Sequence, residues 1–147
     1  MEKVVPSRFN IRVYGLLFNE GKVLVTDEIR LGTKMTKFPG GGLEFGEGLE
    51  DGLKREFQEE LSVEIEVNEL FYINEFLQIS SFDNHDQLMS VYYKVSLVEG
   101  VINTTETPFY FESKEPQCFR WVGLDDIMES DLTFPIDKVV LQKLKDE

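Results

Sequence analysis

Leu49, Leu53, Phe57 and Leu61 recur at every fourth position, which predicts a helix over 49–61 that buries one stripe of its surface. At about 100° per residue, with Leu49 at zero, Leu53 falls at about 40° and Phe57 at about 80°. Glu60 falls at about 20°, inside that apolar arc, and Glu56 at about 340°, on its edge. Glu59 lies further round, at about 280°. Whatever packs on this helix must therefore also accept carboxylates. A solvated acidic face accounts for Glu50 and Asp51. It accounts poorly for Glu60, whose buried charge would lack a partner. Three glutamates within two turns also repel one another. A divalent cation removes both difficulties, because magnesium takes carboxylates, waters and substrate phosphates as its oxygen ligands. A structural acidic face and a metal site both stay open here, with the placement of Glu60 favouring the metal. Gly52, at about 300°, is expected to leave room above the carboxylates. Arg55 and Glu47 are expected to pair with each other or to orient the cluster.

The rest of the chain reads as strands around this helix. Phe9 to Phe18 and Lys22 to Thr26 are rich in β-formers and flank Asn19-Glu20-Gly21, which predicts a hairpin. Asp27 to Lys37 is polar and irregular and reads as a loop. In Phe38-Pro39-Gly40-Gly41-Gly42 the glycines let the backbone approach a ligand closely. Val63 to Val67, Leu70 to Ile79, Leu88 to Val98 and Gln117 to Val122 are strand candidates, with a turn over Phe82 to Asp86. Leu124 to Met128 reads as a brief helix. Pro135 to Lys145 reads as a terminal helix with Ile136, Val139, Val140 and Leu144 on one face. Strands on both sides of a central helix, and a second helix at the end, predict an α/β fold with a mixed sheet flanked by helices. With 147 residues, 41% of them hydrophobic, residues 1–147 are expected to form a single domain.

Charge narrows the partners. The net charge of −13 repels nucleic acid polymers and anionic lipid surfaces alike. A phosphate substrate would then need cations to hold it. No apolar run approaches a membrane span, and Met1 to Arg8 lacks the apolar stretch of a leader. The single cysteine, Cys118, fits a reducing, cytoplasmic setting. A homodimer stays open.

Gly41, Glu47 and the run Arg55-Glu56-Phe57-Gln58-Glu59-Glu60-Leu61-Ser62-Val63 together resemble the Nudix box. Phe38-Pro39-Gly40 and Arg120 to Asp126 also resemble sequences of that family. One position departs: Ser62 stands where the family usually has the glycine that ends the helix in a left-handed conformation. The resemblance implies an α/β/α sandwich with a mixed β-sheet, the box forming a loop–helix–loop. It implies divalent-metal-dependent hydrolysis of a pyrophosphate linkage in a nucleoside diphosphate linked to another group, with Mg2+ or Mn2+ as cofactor and a small nucleotide-like molecule as substrate. By position, Glu56, Glu59, Glu60 and the Gly40 carbonyl match the metal ligands, with Gly41, Glu47 and Arg55 supporting them. The catalytic base would be one of these glutamates, Glu56 or Glu59, or a carboxylate on a later loop. Glu115, six residues before Trp121, is the loop candidate and Glu112 its rival.

On the substrate side, Arg30, Lys34 and Lys37 are the basic residues nearest the glycine run, and Arg30 and Lys37 are expected to meet phosphate oxygens. Phe76, Tyr92 and Tyr93 are candidates to stack on a base, of which Phe76 and Tyr92 are taken as substrate-binding. His85 is expected on a surface loop and Cys118 as a small buried hydrophobe. Asp27-Glu28 stands where members that sanitise mutagenic nucleotides often carry basic residues, which argues against that role. The alternative to an enzyme is a non-catalytic nucleotide-binding sensor that keeps the fold.

Overall fold

The computed structural model describes residues 5–147; residues 1–4, part of the stretch inspected for a leader, lie outside the described residues. Seven strands, β1 (Arg8–Asn19), β2 (Lys22–Arg30), β3 (Thr33–Lys37), β4 (Gly40–Gly42), β5 (Glu64–Ile73), β6 (Asp86–Glu99) and β7 (Gln117–Gly123), accompany two helices, α1 (Leu49–Leu61) and α2 (Pro135–Lys145). The predicted hairpin forms through Glu20 and Gly21, both at positive φ (50° and 77°), as a two-residue turn between strands requires. Yet β1 and β2 pair only at Phe18 with Val23 and Asn19 with Lys22, and then splay apart. β1 runs on in parallel with β6, flanked by β4 and, beyond β6, by β5, both antiparallel. β2 carries β3 and β7 as antiparallel neighbours. One parallel pair among antiparallel ones makes the expected mixed sheet.

Because β1 is covered on both sides, its middle reads as a continuous apolar run. Val13 and Leu17 pack with Val91, Tyr93 and Val95 against Leu53 and Phe57 of α1. Tyr14 and Leu16 pack with Tyr92 and Phe38 against Ile136, Val140, Leu141 and Leu144 of α2. The result is a helix–sheet–helix sandwich. Leu53 and Phe57 are almost fully buried, and each contributes about 1.5–3 kcal/mol by leaving water. Gly15 permits this close approach, since a Cβ there would stand 2.6 Å from the Phe57 ring.

Three expectations need correction. Asp27 to Lys37 is not a loop: β2 continues to Arg30, turns at Leu31-Gly32 and returns as β3. Its polar residues are satisfied internally, as Asp27 accepts hydrogen bonds from Thr36 and Arg120. Val63 to Val67 and Leu70 to Ile79 are not two strands. They form one, β5, kinked by irregular pairing around Val67–Glu69 and Leu70–Tyr72, and it ends at Ile73. Asn74 stops it by donating to the Phe76 and Leu88 carbonyls and accepting the Ser90 N–H. Leu124 to Met128 is a turn, and the short 3-10 helix follows at Glu129–Asp131. The terminal helix has the predicted bounds, but Val139 is only half-buried, and Asp137, an acid, is buried.

Ser62 takes the left-handed conformation that its position demands (φ 55°, ψ 38°), its N–H donating to the Gln58 carbonyl at 3.0 Å. A Cβ makes that conformation costly, so Ser62→Gly is expected to stabilise the fold by about 1 kcal/mol. In a domain of this size that raises the melting temperature by about 3 °C. A melting curve checks it, and a lower value for the glycine variant would show that the serine side chain contributes more than it costs.

Candidate metal and substrate site

The site begins at the glycine run. Gly40 sits at φ 153°, and a Cβ there would stand 2.0 Å from the Val13 carbonyl oxygen, so the chain can pass only as glycine. At Gly41 a Cβ would lie 2.5 Å from the Glu56 carboxyl carbon. Glu56 is therefore tucked against the bare backbone of β4. Gly52 does something other than expected. A Cβ there would meet Leu43 at 2.8 Å and Glu47 Oε1 at 3.0 Å, so the room it leaves is filled by the preceding loop.

Arg55 ties that loop to the helix. Its Nε and one terminal nitrogen donate to the two oxygens of Glu47 at 2.9 and 2.6 Å. It also donates to the Gly42 carbonyl at 3.0 Å, to Glu56 at 3.0 Å and to Glu59 at 3.1 Å. Glu47 accepts the Glu44 N–H at 2.9 Å as well. The Arg55 hydrogen bonds, helped by that N–H, pull the Glu47 carboxyl down to about 2.

Glu60 is half-buried and behaves differently. Burial pushes its carboxyl up to about 7; nearby Glu56 and Glu28 add to the rise, while Lys37 and a hydrogen bond from Gln117 oppose it. Carboxylates and a backbone carbonyl are the donors that a hard divalent ion takes. The bare backbone at Gly41 and the under-compensated charge of Glu60 fit such an ion. Among the described residues no three acid, His or Cys side chains already converge on one point. Glu56 and Glu59 both lean on Arg55, so an ion would share them with it.

A cleft of about 300 Å³ opens on the α2 side of the sheet, where β1 and β2 splay apart. Of the predicted substrate residues, Arg30, Lys37 and Tyr92 line it. Arg30 stacks on Phe82 at 4.6 Å, and Phe82 meets Phe134 at 6.5 Å, edge to face. Tyr92 has no face to offer a base. Its ring stacks on Tyr14 at 5.0 Å, Phe38 meets it edge-on, and its hydroxyl donates to Asp137 at 2.5 Å. Phe76 does not line the cleft, whereas Phe82 and Phe134 do. Lys34 stands over Phe109. His85 is exposed beside Asp83, and Cys118 is buried beside Asp27. Glu115 and Glu112 are exposed, and the Glu115 side chain makes no hydrogen bond or ion pair to a described residue. Gln117, two positions later, donates to Thr26 Oγ1 at 3.3 Å and lies near Glu60.

Among the cleft residues that the sequence did not point to are three charged ones, Arg12, Glu28 and Asp137. Asp137 had a detectable signal. On the wheel of α2 it falls about 20° beyond Leu144, within the buried arc. Arg12 had a weaker one, as a charged residue alternating with Ile11 and Val13 in an apolar strand.

The NUDIX domain family matches the chain over residues 8–144. The chain belongs to that family. It is a Nudix-type hydrolase acting on pyrophosphate linkages in general, and such hydrolases generally use divalent metals. Among solved structures, the Escherichia coli ORF135 protein superimposes with a TM-score of 0.73 at 18% identity, over 95% of this chain and 91% of that one. A MutT NUDIX hydrolase from Burkholderia pseudomallei gives 0.71 at 18% identity, over 92% and 98%. An ADP-ribose pyrophosphatase from Streptococcus suis gives 0.59 at 14% identity, over 94% and 92%. At such identities the likeness carries the Nudix fold alone. Compared with the curated proteins, the chain has no match in sequence. Among the described residues no helix is long and apolar enough to cross a membrane.

Proposed function

We propose that this Nudix protein hydrolyses the pyrophosphate linkage of a nucleoside diphosphate linked to another group, using magnesium, or manganese in its place. Glu56, Glu59, Glu60 and the Gly40 carbonyl would hold the ion. The observation that carries this reading is Glu60, a half-buried carboxyl beside Glu56 and Glu28 whose charge the protein alone compensates poorly. When bound, the ion neutralises phosphate charge and lowers the pKa of an attacking water. Glu56 or Glu59 takes the proton from that water. Water oxygen forms the new bond to phosphorus, and the bridging oxygen leaves with the other phosphoryl group. Arg55 keeps the glutamates in place while Arg30 and Lys37 meet the substrate. Glu115 is not needed as base in this reading, because its exposed side chain makes no hydrogen bond or ion pair to α1.

The test is a screen of the purified protein against nucleoside triphosphates, ADP-ribose, sugar nucleotides and dinucleoside polyphosphates. Release of a nucleoside monophosphate is expected with magnesium or manganese, abolished by EDTA and restored by adding the metal back. Binding of these compounds without turnover at any metal concentration would leave the nucleotide-binding sensor as the better reading.

A further inference from the structure

The alternation of β1 turns Asn10, Arg12 and Tyr14 into the cleft while Ile11 and Val13 face the other way. Arg12 is thus a guanidinium set between Ile11 and Val13, where the strand's apolar run begins. Its Nε donates to the Tyr14 hydroxyl at 2.6 Å, and its terminal nitrogens have no acceptor among the described residues. Beside one of them the backbone is bare: a Cβ on Gly42 would stand 3.7 Å from Nη1. Lys37 enters from β3. Its side chain is 7% exposed, its nearest carboxylate among the described residues is Glu28 at 3.6 Å, and its ammonium makes no hydrogen bond to a described residue. Both cations stand over one ring, Tyr14, at 5.7 and 5.5 Å from its centre. Tyr92, stacked on that ring, fixes its position.

We propose that Arg12 and Lys37 together bind one phosphoryl group of the substrate, and that they do so without a metal. This rests on the reading of the cleft as the substrate site. The free donors of both cations open onto the cleft, since no fully buried side-chain nitrogen among the described residues lacks a hydrogen-bond partner, and two like charges held against one ring repel each other. An oxyanion relieves that repulsion and gives the free donors an acceptor. A carboxylate would satisfy the guanidinium fork with its two oxygens and leave little for the ammonium. A phosphoryl group offers more oxygens around one centre and more charge, which suits a fork and a point charge at once. The site lies between the α1 carboxylates and the Asp137 end of the cleft. Arg12 feels Glu56 and Glu28, and both cations act on Asp137. A substrate phosphate held here would be placed by the protein itself, beside the glutamates that would hold the ion. Arg12 is then a determinant of which phosphoryl group is presented for cleavage. The competing account is that the two cations only balance Glu28, Glu60 and Asp137, and it predicts no affinity for phosphate in the absence of metal.

The probe is inorganic pyrophosphate, titrated into the full chain in EDTA and followed by calorimetry. Wild type is expected to bind it, and Arg12→Met and Lys37→Met to weaken binding by about tenfold or more. Lys22→Met, which removes the same charge from the exposed end of the hairpin, is expected to bind as wild type does. Arg12→Lys is expected to fall between wild type and Arg12→Met. Should Lys37→Met fail to fold, Arg12→Met decides alone. No binding by wild type, or equal affinity in Arg12→Met and Lys22→Met, overturns the proposal. Neither metal nor turnover enters the measurement, so a failure of the hydrolysis screen leaves this result standing, and the reverse.

Discussion

Glu60→Gln is expected to lower turnover by about 100-fold or more while making the metal-free protein more stable above neutral pH. The two effects share one cause. The Glu60 carboxyl has an ordinary value of 4.5 and is pushed up to about 7 in the fold, first by burial and then by Glu56 and Glu28. A folded state with the higher pKa binds the proton more tightly than the unfolded chain does. As pH rises from 4.5 to 7, the unfolded chain ionises first, so stability falls across that window and the deficit is complete above it. A shift of this size corresponds to about 3 kcal/mol. Glutamine keeps the shape and carries no charge. The variant should match wild type near pH 4 and exceed it by up to about 3 kcal/mol at pH 8, or about 9 °C in melting temperature. Magnesium should close part of the gap by stabilising wild type more than the variant. Metal at ten times its Kd adds about 1.4 kcal/mol to the state that binds it. A variant with wild-type turnover and the same magnesium shift would remove Glu60 from the metal site. A stability gap equal at both pH values would show that burial of its charge is not what the glutamine relieves.

That prediction was within reach of the sequence because a helix writes its buried arc in local spacing. Leu53 and Phe57 defined the arc, Glu60 fell inside it, and the half-buried carboxyl follows. The same wheel applied to α2 would have found Asp137 between Leu144 and Leu141. Strands hid more. Asp27 is buried and hydrogen-bonded by Arg120, a residue 93 positions away, so no local pattern could mark β2 as continuing through it. Arg12 and Glu28 face the cleft only because β1 and β2 part after two residue pairs, and strand order was not legible. Spacing to Trp121 pointed to Glu115, but the exposed loop leaves that side chain in solvent. Tyr92 lines the cleft, yet its stacking surface is spent on Tyr14.

Glycine roles were the least legible part, because a missing Cβ is explained only by what would strike it. Gly41→Ala tests this and carries the second large effect: turnover is expected to fall by about 100-fold with the fold intact. The new methyl would lie 2.5 Å from the carboxyl carbon of Glu56 and 2.5 and 2.6 Å from its oxygens. What it strikes is the far end of a side chain, so Glu56 must swing aside. Arg55, at 3.0 Å, and the shallow exposure of Glu56 leave that carboxylate few other places. Backbone pairing of Gly41 with Val13 is untouched, since alanine donates and accepts as glycine does. Stability should therefore change by no more than about 1 kcal/mol. Gly40→Ala is the contrast. There the methyl would strike the Val13 carbonyl oxygen at 2.0 Å and the Tyr14 Cα at 2.7 Å, both backbone, and φ is already positive. That variant should lose several kcal/mol and unfold before activity can be judged, on the order of the larger losses that point mutations cause. Circular dichroism melts beside the activity assay, with and without magnesium, tell the two apart. If Gly41→Ala melts like wild type and keeps turnover within about threefold, a displaced Glu56 costs the chemistry less than 1 kcal/mol or so, and its place among the metal ligands is wrong.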